Sequence, residues 1–264
     1  MPTQDEVLKF ITDRENDVKF VRLAFCDLGG VPKNISVPPT ALGRVFEEGM
    51  AFEPRAIDGF GDTCERAYLF PDVSTLATLP WRPSHGRVVR FYCDIRLADG
   101  NPAPFDKRAV LKREVDGLDL LTAEAECDFY LFKTEEDGDT RGATFDNGGY
   151  FDVYPLDMGE NVRREICNYL AEMGIVHTAS HHARGHGQNT IALSATDFVT
   201  CADNLLTFRM AVSTVARQNG LIASFDASPF GNAQKSALTI TVGDAVWSFA
   251  PSVNPYTALA GIVK

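Results

Sequence analysis

Between Gly148 and Ile191 the chain runs through a Gly-Gly-Tyr-Phe-Asp opening, one punctuated helical pattern, and then Ser180-His181-His182-Ala183-Arg184-Gly185-His186-Gly187-Gln188-Asn189-Thr190-Ile191. This stretch constrains the fold more than any other. Asp157 is a good N-cap, Glu160 three residues later completes a capping box, and Val162, Ile166, Leu170 and Met173 recur at helical spacing before Gly174. The pattern predicts a helix over about 157–173. Ile175 to Ser180 reads as a strand, Arg184 to Gly187 as a turn and Gln188 to Leu193 as the returning strand. Four of the chain's five histidines fall in this stretch, and His181, His182 and His186 are placed around one hairpin.

The chain has 264 residues, 45% of them hydrophobic, enough for an ordinary core in one large or two modest domains. Its net charge of −11 is spread without long single-sign runs, which disfavours nucleic acid and anionic membrane as main partners. The six cysteines are scattered with no Cys-x-x-Cys pair, as expected of buried thiols in a reducing compartment. The acidic N-terminus has no apolar signal core, and no apolar run approaches the roughly 20 residues of a membrane span. A cytoplasmic protein without membrane association is the expectation.

In order, Glu6 to Asn16 reads as a short helix, Val18 to Phe25 and Pro32 to Val37 as a hairpin turned at Asp27-Leu28-Gly29-Gly30, and Leu42 to Gly49 as a second helix. Val88 to Ile95 is the next clear strand. Pro102 to Asp106 breaks both periodicities and marks a linker, dividing the chain into 1–103 and 104–264. In the strand that follows, Glu126, Asp128 and Tyr130 share one face, and Cys127, Phe129 and Leu131 share the other. Ala202 to Asn219 reads as a long helix. Leu221 to Phe225, Ala237 to Val242 and Ala245 to Phe249 read as strands.

From about Val18 to its end the chain carries a series of ordered landmarks. The N-terminal landmarks are Val21-Arg22-Leu23, Asp27-Leu28-Gly29-Gly30, Leu69-Phe70-Pro71-Asp72, Pro80-Trp81 and Asp99-Gly100-Asn101-Pro102. The later ones are Glu126-Cys127-Asp128-Phe129-Tyr130-Leu131-Phe132, Gly149-Tyr150-Phe151, His181-His182, Gly187-Gln188-Asn189 and Ala202-Asp203-Asn204. In this order the landmarks resemble those of the glutamine synthetase family, and the resemblance implies an α/β (α+β) fold. An N-terminal β-grasp domain would precede a shortened glutamine-synthetase-type catalytic domain with an antiparallel sheet and packed helices. It also implies ATP-dependent ligase chemistry, in which divalent cations held by carboxylates and a histidine let ATP and glutamate approach each other.

The pattern breaks where that chemistry resides. Glu126 matches the first metal-binding residue of the family's Glu-x-Glu strand and Asp128 the second. The family's His-His-Glu is matched by His181-His182-Ala183, and its Gly-Gln-(His or Asn)-Glu by Gly187-Gln188-Asn189-Thr190. Its Gly-Ser-Gly-Met-His-x-His is matched by Lys235 to Ile240, with Leu238 read as the replacement of the histidine ligand. Phe-Met-Pro-Lys-Pro is matched by Phe225-Asp226-Ala227-Ser228-Pro229, without the lysine. Ser252 to Ala260 resembles a much later Asn-Pro-Tyr helix of the family. Losing one transition-state donor commonly costs ~2.7–4 kcal/mol, and several are replaced at once.

These departures imply a pseudoenzyme with a structural, regulatory or ligand- or partner-binding role. The alternative is an active ATP-dependent carboxylate-amine ligase, of glutamine synthetase or γ-glutamyl-amine ligase type, with a remodelled site. Glu126 and Asp128 are vestigial metal ligands, no cofactor is expected, and at most weak Mg²⁺ or Mn²⁺ binding remains. Tyr150, His181, His182, His186, Gln188 and Asn189 are the ligand-pocket candidates. Glu53 and Arg55 match the loop that reaches a neighbouring subunit's site, which implies a homo-oligomer through the β-grasp domain. Co-assembly with a complete glutamine synthetase is a second expectation.

Overall fold

The computed structural model describes residues 2–61, 64–83, 85–118, 121–135, 141–230 and 235–264. They form two compact units, one running to Asp116 and including Val263–Lys264, the other Gly117–Ile262.

The first unit contains α1 (Gln4–Thr12), β1 (Val18–Cys26), β2 (Pro32–Val37), α2 (Leu42–Glu48), β3 (Met50–Phe52), β4 (Ala67–Pro71), β5 (Ala77–Thr78), β6 (Arg87–Arg96) and α3 (Lys107–Glu114). Helix α1 starts two residues before the expected Glu6, because Thr3 and Glu6 form a reciprocal capping box. The six-stranded sheet has the order β2-β1-β6-β4-β3, with β5 on β6; β1 and β6 are parallel. Val21, Leu23 and Phe25 of β1 and Val89, Phe91 and Ile95 of β6 face one way and bury against Val7 and Ile11 of α1 and Leu42 and Val45 of α2. Each such side chain contributes about 1.5–3 kcal/mol on leaving water.

Helix α3 belongs to this unit. Arg108, 4% exposed, donates to Asp94 at 2.6 Å and Asp72 at 2.9 Å, and Lys112 reaches the same two carboxylates at 2.8 and 3.0 Å. Asp106 caps the helix, accepting from the Arg108 and Ala109 amides, and ties it to β6 through the Ile95 amide at 2.8 Å. The break in compactness therefore falls beyond α3, whereas the proline-rich segment before it is where the sequence changes character.

The second unit contains β7 (Thr122–Thr134), β8 (Arg141–Thr144), α4 (Glu160–Glu172), β9 (His177–His182), β10 (Gln188–Asp197), α5 (Phe198–Gln218), β11 (Leu221–Ser224), β12 (Leu238–Val242), β13 (Ala245–Phe249) and α6 (Pro255–Val263). The seven-stranded antiparallel sheet has the order β13-β12-β7-β10-β9, with β8 and β11 also pairing β7. Helix α4 begins at Glu160, not Asp157, because the Asp157 carboxylate is drawn into an ion pair with Arg163. Helix α5 begins four residues before Ala202, capped by Asp197 at the Thr200 amide.

The sheet's two faces differ. Cys127, Phe129, Leu131, Ile191, Leu238 and Ile240 are buried, and the Phe129 and Phe208 rings, 6.0 Å apart, carry the packing of α5 on this face. The opposite face presents Glu124, Glu126, Asp128, Thr190, Thr239 and Thr241 by strand alternation and register. Among the described residues no helix is long and apolar enough to cross a membrane.

Candidate functional site

The polar face of the second sheet forms a cavity of about 500 Å³ lined by Glu126, Asp128, Tyr150, His181, Ala183, Arg184, Gln188, Thr190 and Lys235. Its floor follows from register. Asp128 of β7 lies opposite Thr190 of β10, which lies opposite His181 of β9, and Glu126 lies opposite Thr239 of β12. Residues in register share a face, so the residue brought beside Glu126 is Thr239. Leu238, read from sequence as the replaced histidine, pairs with Cys127 and is wholly buried on the other face. That assignment is corrected by one position, and a one-residue slip inverts every side chain of a strand.

Asp128 is hydrogen-bonded by protein at both carboxylate oxygens. Its Oδ1 accepts from Thr190 Oγ1 at 2.7 Å and its Oδ2 from the Ala237 amide at 3.0 Å. Gln188 Nε2 adds a longer donation at 3.4 Å while also reaching Ser236 Oγ at 3.2 Å and the Lys235 carbonyl at 3.3 Å. Burial raises the Asp128 pKa, and the Thr190 and Ala237 hydrogen bonds only partly offset it. Glu126 is exposed.

These residues do not fit a cluster of hard cations. Mg²⁺ and Mn²⁺ need several converging oxygens, whereas Asp128 spends both of its oxygens on Thr190 and Ala237 and the neighbouring wall offers the methyl of Ala183. Arg184 and Lys235 also bring positive charge to the rim, which disfavours a cation further.

One rim is aromatic. Tyr150 and Phe151 stack with centroids 3.9 Å apart, and His181 meets both edge-on at 5.6 and 4.7 Å. The Arg184 guanidinium lies 5.6 Å from the Tyr150 ring centre. Phe151 holds φ at 63°, a region that strains a residue with a side chain. Tyr150 is 53% exposed, so it is a wall residue and not the core aromatic that its apolar ring alone would suggest.

The sequence candidates therefore separate. Tyr150, His181 and Gln188 line the cavity beside Glu126 and Asp128. His186 is exposed outside that lining, whereas His182 and Asn189 are buried behind the wall. His182 Nε2 is 2.9 Å from Asp146 Oδ1, and its Nδ1 is 2.8 Å from the Ala183 carbonyl. A carbonyl only accepts, so Nδ1 carries hydrogen. Asp146 also accepts from the Gly148, Met158 and Gly187 amides, which favours its ionised form. This hydrogen-bond pattern favours an imidazolium facing a carboxylate. Burial alone would lower the His182 pKa, but the Asp146 and Ala183 hydrogen bonds and the Asp146 and Asp157 charges outweigh it, and the pKa is raised.

Asn189 Oδ1 accepts from Arg163 Nη1 at 2.6 Å, and the other guanidinium nitrogen meets Asp157 at 2.5 Å. Asp146, Asp157 and His182 lie close enough to suggest a metal, yet Arg163 and four backbone amides already occupy these carboxylates. The trio is an ion-pair network supporting the cavity wall. Sequence reasoning missed it, along with Arg184 and Lys235. The only available signal was Asp157 preceding Arg163 by six residues, and the N-cap reading absorbed it.

Glu53 and Arg55 lie in the first unit and line a separate charged cavity with Glu65 and Arg66; Arg55 and Glu65 are 3.7 Å apart. Burial pushes the Cys127 and Cys201 thiols up to about 12, so neither is a nucleophile near neutral pH.

Residues 17–98 match the family model for the glutamine synthetase β-grasp domain, and residues 101–241 the model for the glutamine synthetase catalytic domain. Relatives include a glutamine synthetase of Clostridium saccharobutylicum, 37% identical over 245 residues, covering 91% of this chain and 55% of that protein. A Staphylococcus aureus glutamine synthetase is 38% identical over 246 residues with the same coverages. The chain thus spans about half the length of the curated relatives it matches. Among solved structures, a Plasmodium falciparum glutamine synthetase superposes with a TM-score of 0.82 at 20% identity, over 92% of this chain and 54% of that one. A structure described as a GmaS/ADP complex gives a TM-score of 0.78 at 26% identity, over 92% and 56%.

Proposed function

The chain belongs to the glutamine synthetase family, and from that premise we propose that it is a non-catalytic member whose sheet-face cavity serves a binding or regulatory role. The observation that carries this reading is the state of Asp128. A carboxylate at a position where the family resemblance implies a metal ligand is here sequestered by Thr190 and the Ala237 amide. Ala183 and Thr190 occupy the two positions where that resemblance implies further carboxylates. Phosphoryl transfer to a carboxylate brings several negative charges together and depends on cations to screen them. Glu126 alone is too small a donor set for that task.

The cavity remains open and polar, and it combines the carboxylate of Glu126 with the cations of Arg184 and Lys235. That lining suits a small polar ligand bearing both signs of charge. We also propose a homo-oligomer. The loop at Glu53 and Arg55 is the element through which the family resemblance implies contact with the next subunit, and an exposed apolar run at Tyr150 to Met158 supplies surface that an assembly would cover.

The test is calorimetric titration with Mn²⁺ and with Mg²⁺-ATP, followed by phosphate release in the presence of glutamate and ammonium or amines. The expected result is no turnover and at best millimolar metal affinity. Micromolar Mg²⁺-ATP binding, or steady phosphate release, would replace this reading with an active carboxylate-amine ligase.

A further inference from the structure

The ion-pair network behind the cavity wall contains a proton whose loss the surrounding contacts cannot absorb. His182 is wholly buried and both of its ring nitrogens meet acceptors, Nδ1 the Ala183 carbonyl at 2.8 Å and Nε2 the Asp146 carboxylate at 2.9 Å. A neutral imidazole carries a single N–H. It can serve only one of these two oxygens, and the other nitrogen then turns a lone pair on a buried acceptor away from bulk water.

Asp146 is the hub through which that proton reaches the loop between β8 and α4. Its side chain, 1% exposed, accepts from the Gly148 amide at 3.3 Å and the Met158 amide at 3.0 Å, near the loop's two ends, and from the Gly187 amide of the β9–β10 turn at 2.9 Å. The loop also hangs from β9 directly, because the Phe151 amide donates to the His182 carbonyl at 3.2 Å. Gly148 lies so close to the ring that a β-carbon there would sit 2.8 Å from Nε2. On that side the ring has no room to swing away from Asp146, so relief of two facing acceptors has to move the loop backbone. Phe151 holds φ at 63° between these anchors, a strained conformation kept only while its surroundings impose it. The other polar groups about His182 are balanced or turned away. Asp157 is paired with Arg163 of α4, and Asn189, opposite His182 in register, is neutral. His181 lies on the cavity side, Arg184 lies over Tyr150, and His186 is exposed. Burial opposes the proton on His182, yet the Asp146 and Ala183 hydrogen bonds prevail and its pKa is raised.

We propose that the protonated His182–Asp146 pair is a pH-operated latch: it holds the loop that carries Tyr150 against the sheet-face cavity, and loss of its proton releases that loop. The device lies in the wall and operates whatever the cavity binds. Amide hydrogen exchange of the whole chain, read by NMR between pH 6 and 9 and corrected for the intrinsic rate at each pH, is the test. With rising pH the Gly148, Phe151, Met158 and Gly187 amides should together lose at least tenfold more protection than those of α5, with a midpoint above pH 6.5. His182→Gln should abolish this pH dependence. Asp146→Asn, which keeps an acceptor for the amides but drops the charge, should move the midpoint down by at least one pH unit, and it keeps the assignment testable if His182→Gln fails to fold. Wild-type protection that does not change over this range, or that falls in step with α5 as in global unfolding, would overturn the proposal. So would a pH dependence that persists in His182→Gln, or a midpoint unmoved in Asp146→Asn.

Discussion

Asp128 shows how one hydroxyl redirects a carboxylate. With Thr190 Oγ1 at 2.7 Å and the Ala237 amide at 3.0 Å, both oxygens serve the sheet and stitch β10 and the approach to β12 onto β7. Thr190→Val keeps the shape of the side chain and removes the donor from a buried position. It should destabilise the chain by about 1–3 kcal/mol, measured by urea unfolding; a loss below a few tenths would mean that water replaces the hydroxyl freely. The converse experiment restores oxygens. Ala183→Glu with Thr190→Glu should melt earlier than wild type in chelator, because both positions are buried, and should recover with Mn²⁺. At a hundredfold excess over Kd that recovery is worth about 2.7 kcal/mol. An equal Mn²⁺ response in wild type would show that the present donor set suffices. Ala183 and Thr190 were legible as departures because adjacent motif residues fix their positions. Thr239 was legible in the same way, since Lys235 to Thr241 laid along Gly-Ser-Gly-Met-His-x-His sets Leu238 against the methionine and Thr239 against the first histidine, and the pairing of β12 with β7 agrees.

The loop between β8 and α4 is held by charge more than by apolar packing. Asp146 gathers the Gly148, Met158 and Gly187 amides together with His182, and Arg163 clasps Asp157 to the start of α4. The His182 pKa is raised from 6.5, so its stabilising contribution is complete below about pH 6.5 and is lost as pH rises through the folded value. The Asp146 pKa is lowered from 3.8: burial opposes this, but the His182 hydrogen bond and the amides prevail. Its contribution is therefore present above about 3.8 and lost as pH falls through the folded value. Urea unfolding from pH 4 to 9 should accordingly decline on the alkaline side, and His182→Gln should flatten that limb; parallel profiles for the two proteins would remove His182 as its source. Arg163→Ala leaves Asp157 buried without its partner and should cost about 3–5 kcal/mol, whereas Asp157→Leu with Arg163→Leu should cost less than the single change. Double-mutant analysis checks this, and additive losses would contradict a coupled pair. Elements were read well from the sequence where caps and periodicity agree, as for α2, β1, β2 and β6. The start of α4 was misplaced because Asp157 accepts from the Gly159 amide and from Arg163 while Gly159 itself takes the N-cap position, and sequence spacing cannot tell a turn just before a helix from its cap.

At the scale of the molecule, the open question is what covers the exposed apolar run. Tyr150, Phe151, Val153, Tyr154, Leu156 and Met158 are all exposed, from 45% at Met158 to 73% at Tyr154. The segment cannot turn inward without breaking the Asp146 and Asp157 attachments at its two ends, so the network that shapes the cavity wall also presents this surface to solvent. Contiguous apolar surface of this kind marks contact with another macromolecule, whereas singly scattered apolar residues would not. A second copy is the occupant that the proposed homo-oligomer supplies. Sedimentation velocity at tens of micromolar should therefore show a species larger than one chain, and Val153→Asp with Leu156→Asp should shift it to the monomer by placing charges in the contact. Because both side chains are exposed in the single chain, the double variant should keep its Tm within a few degrees once monomeric wild type is the reference. Wild type running as a monomer at these concentrations would refute self-association. In that event, mixing with a complete glutamine synthetase and weighing the products would decide whether the run is covered by a longer relative instead, with unmixed species excluding that partner as well.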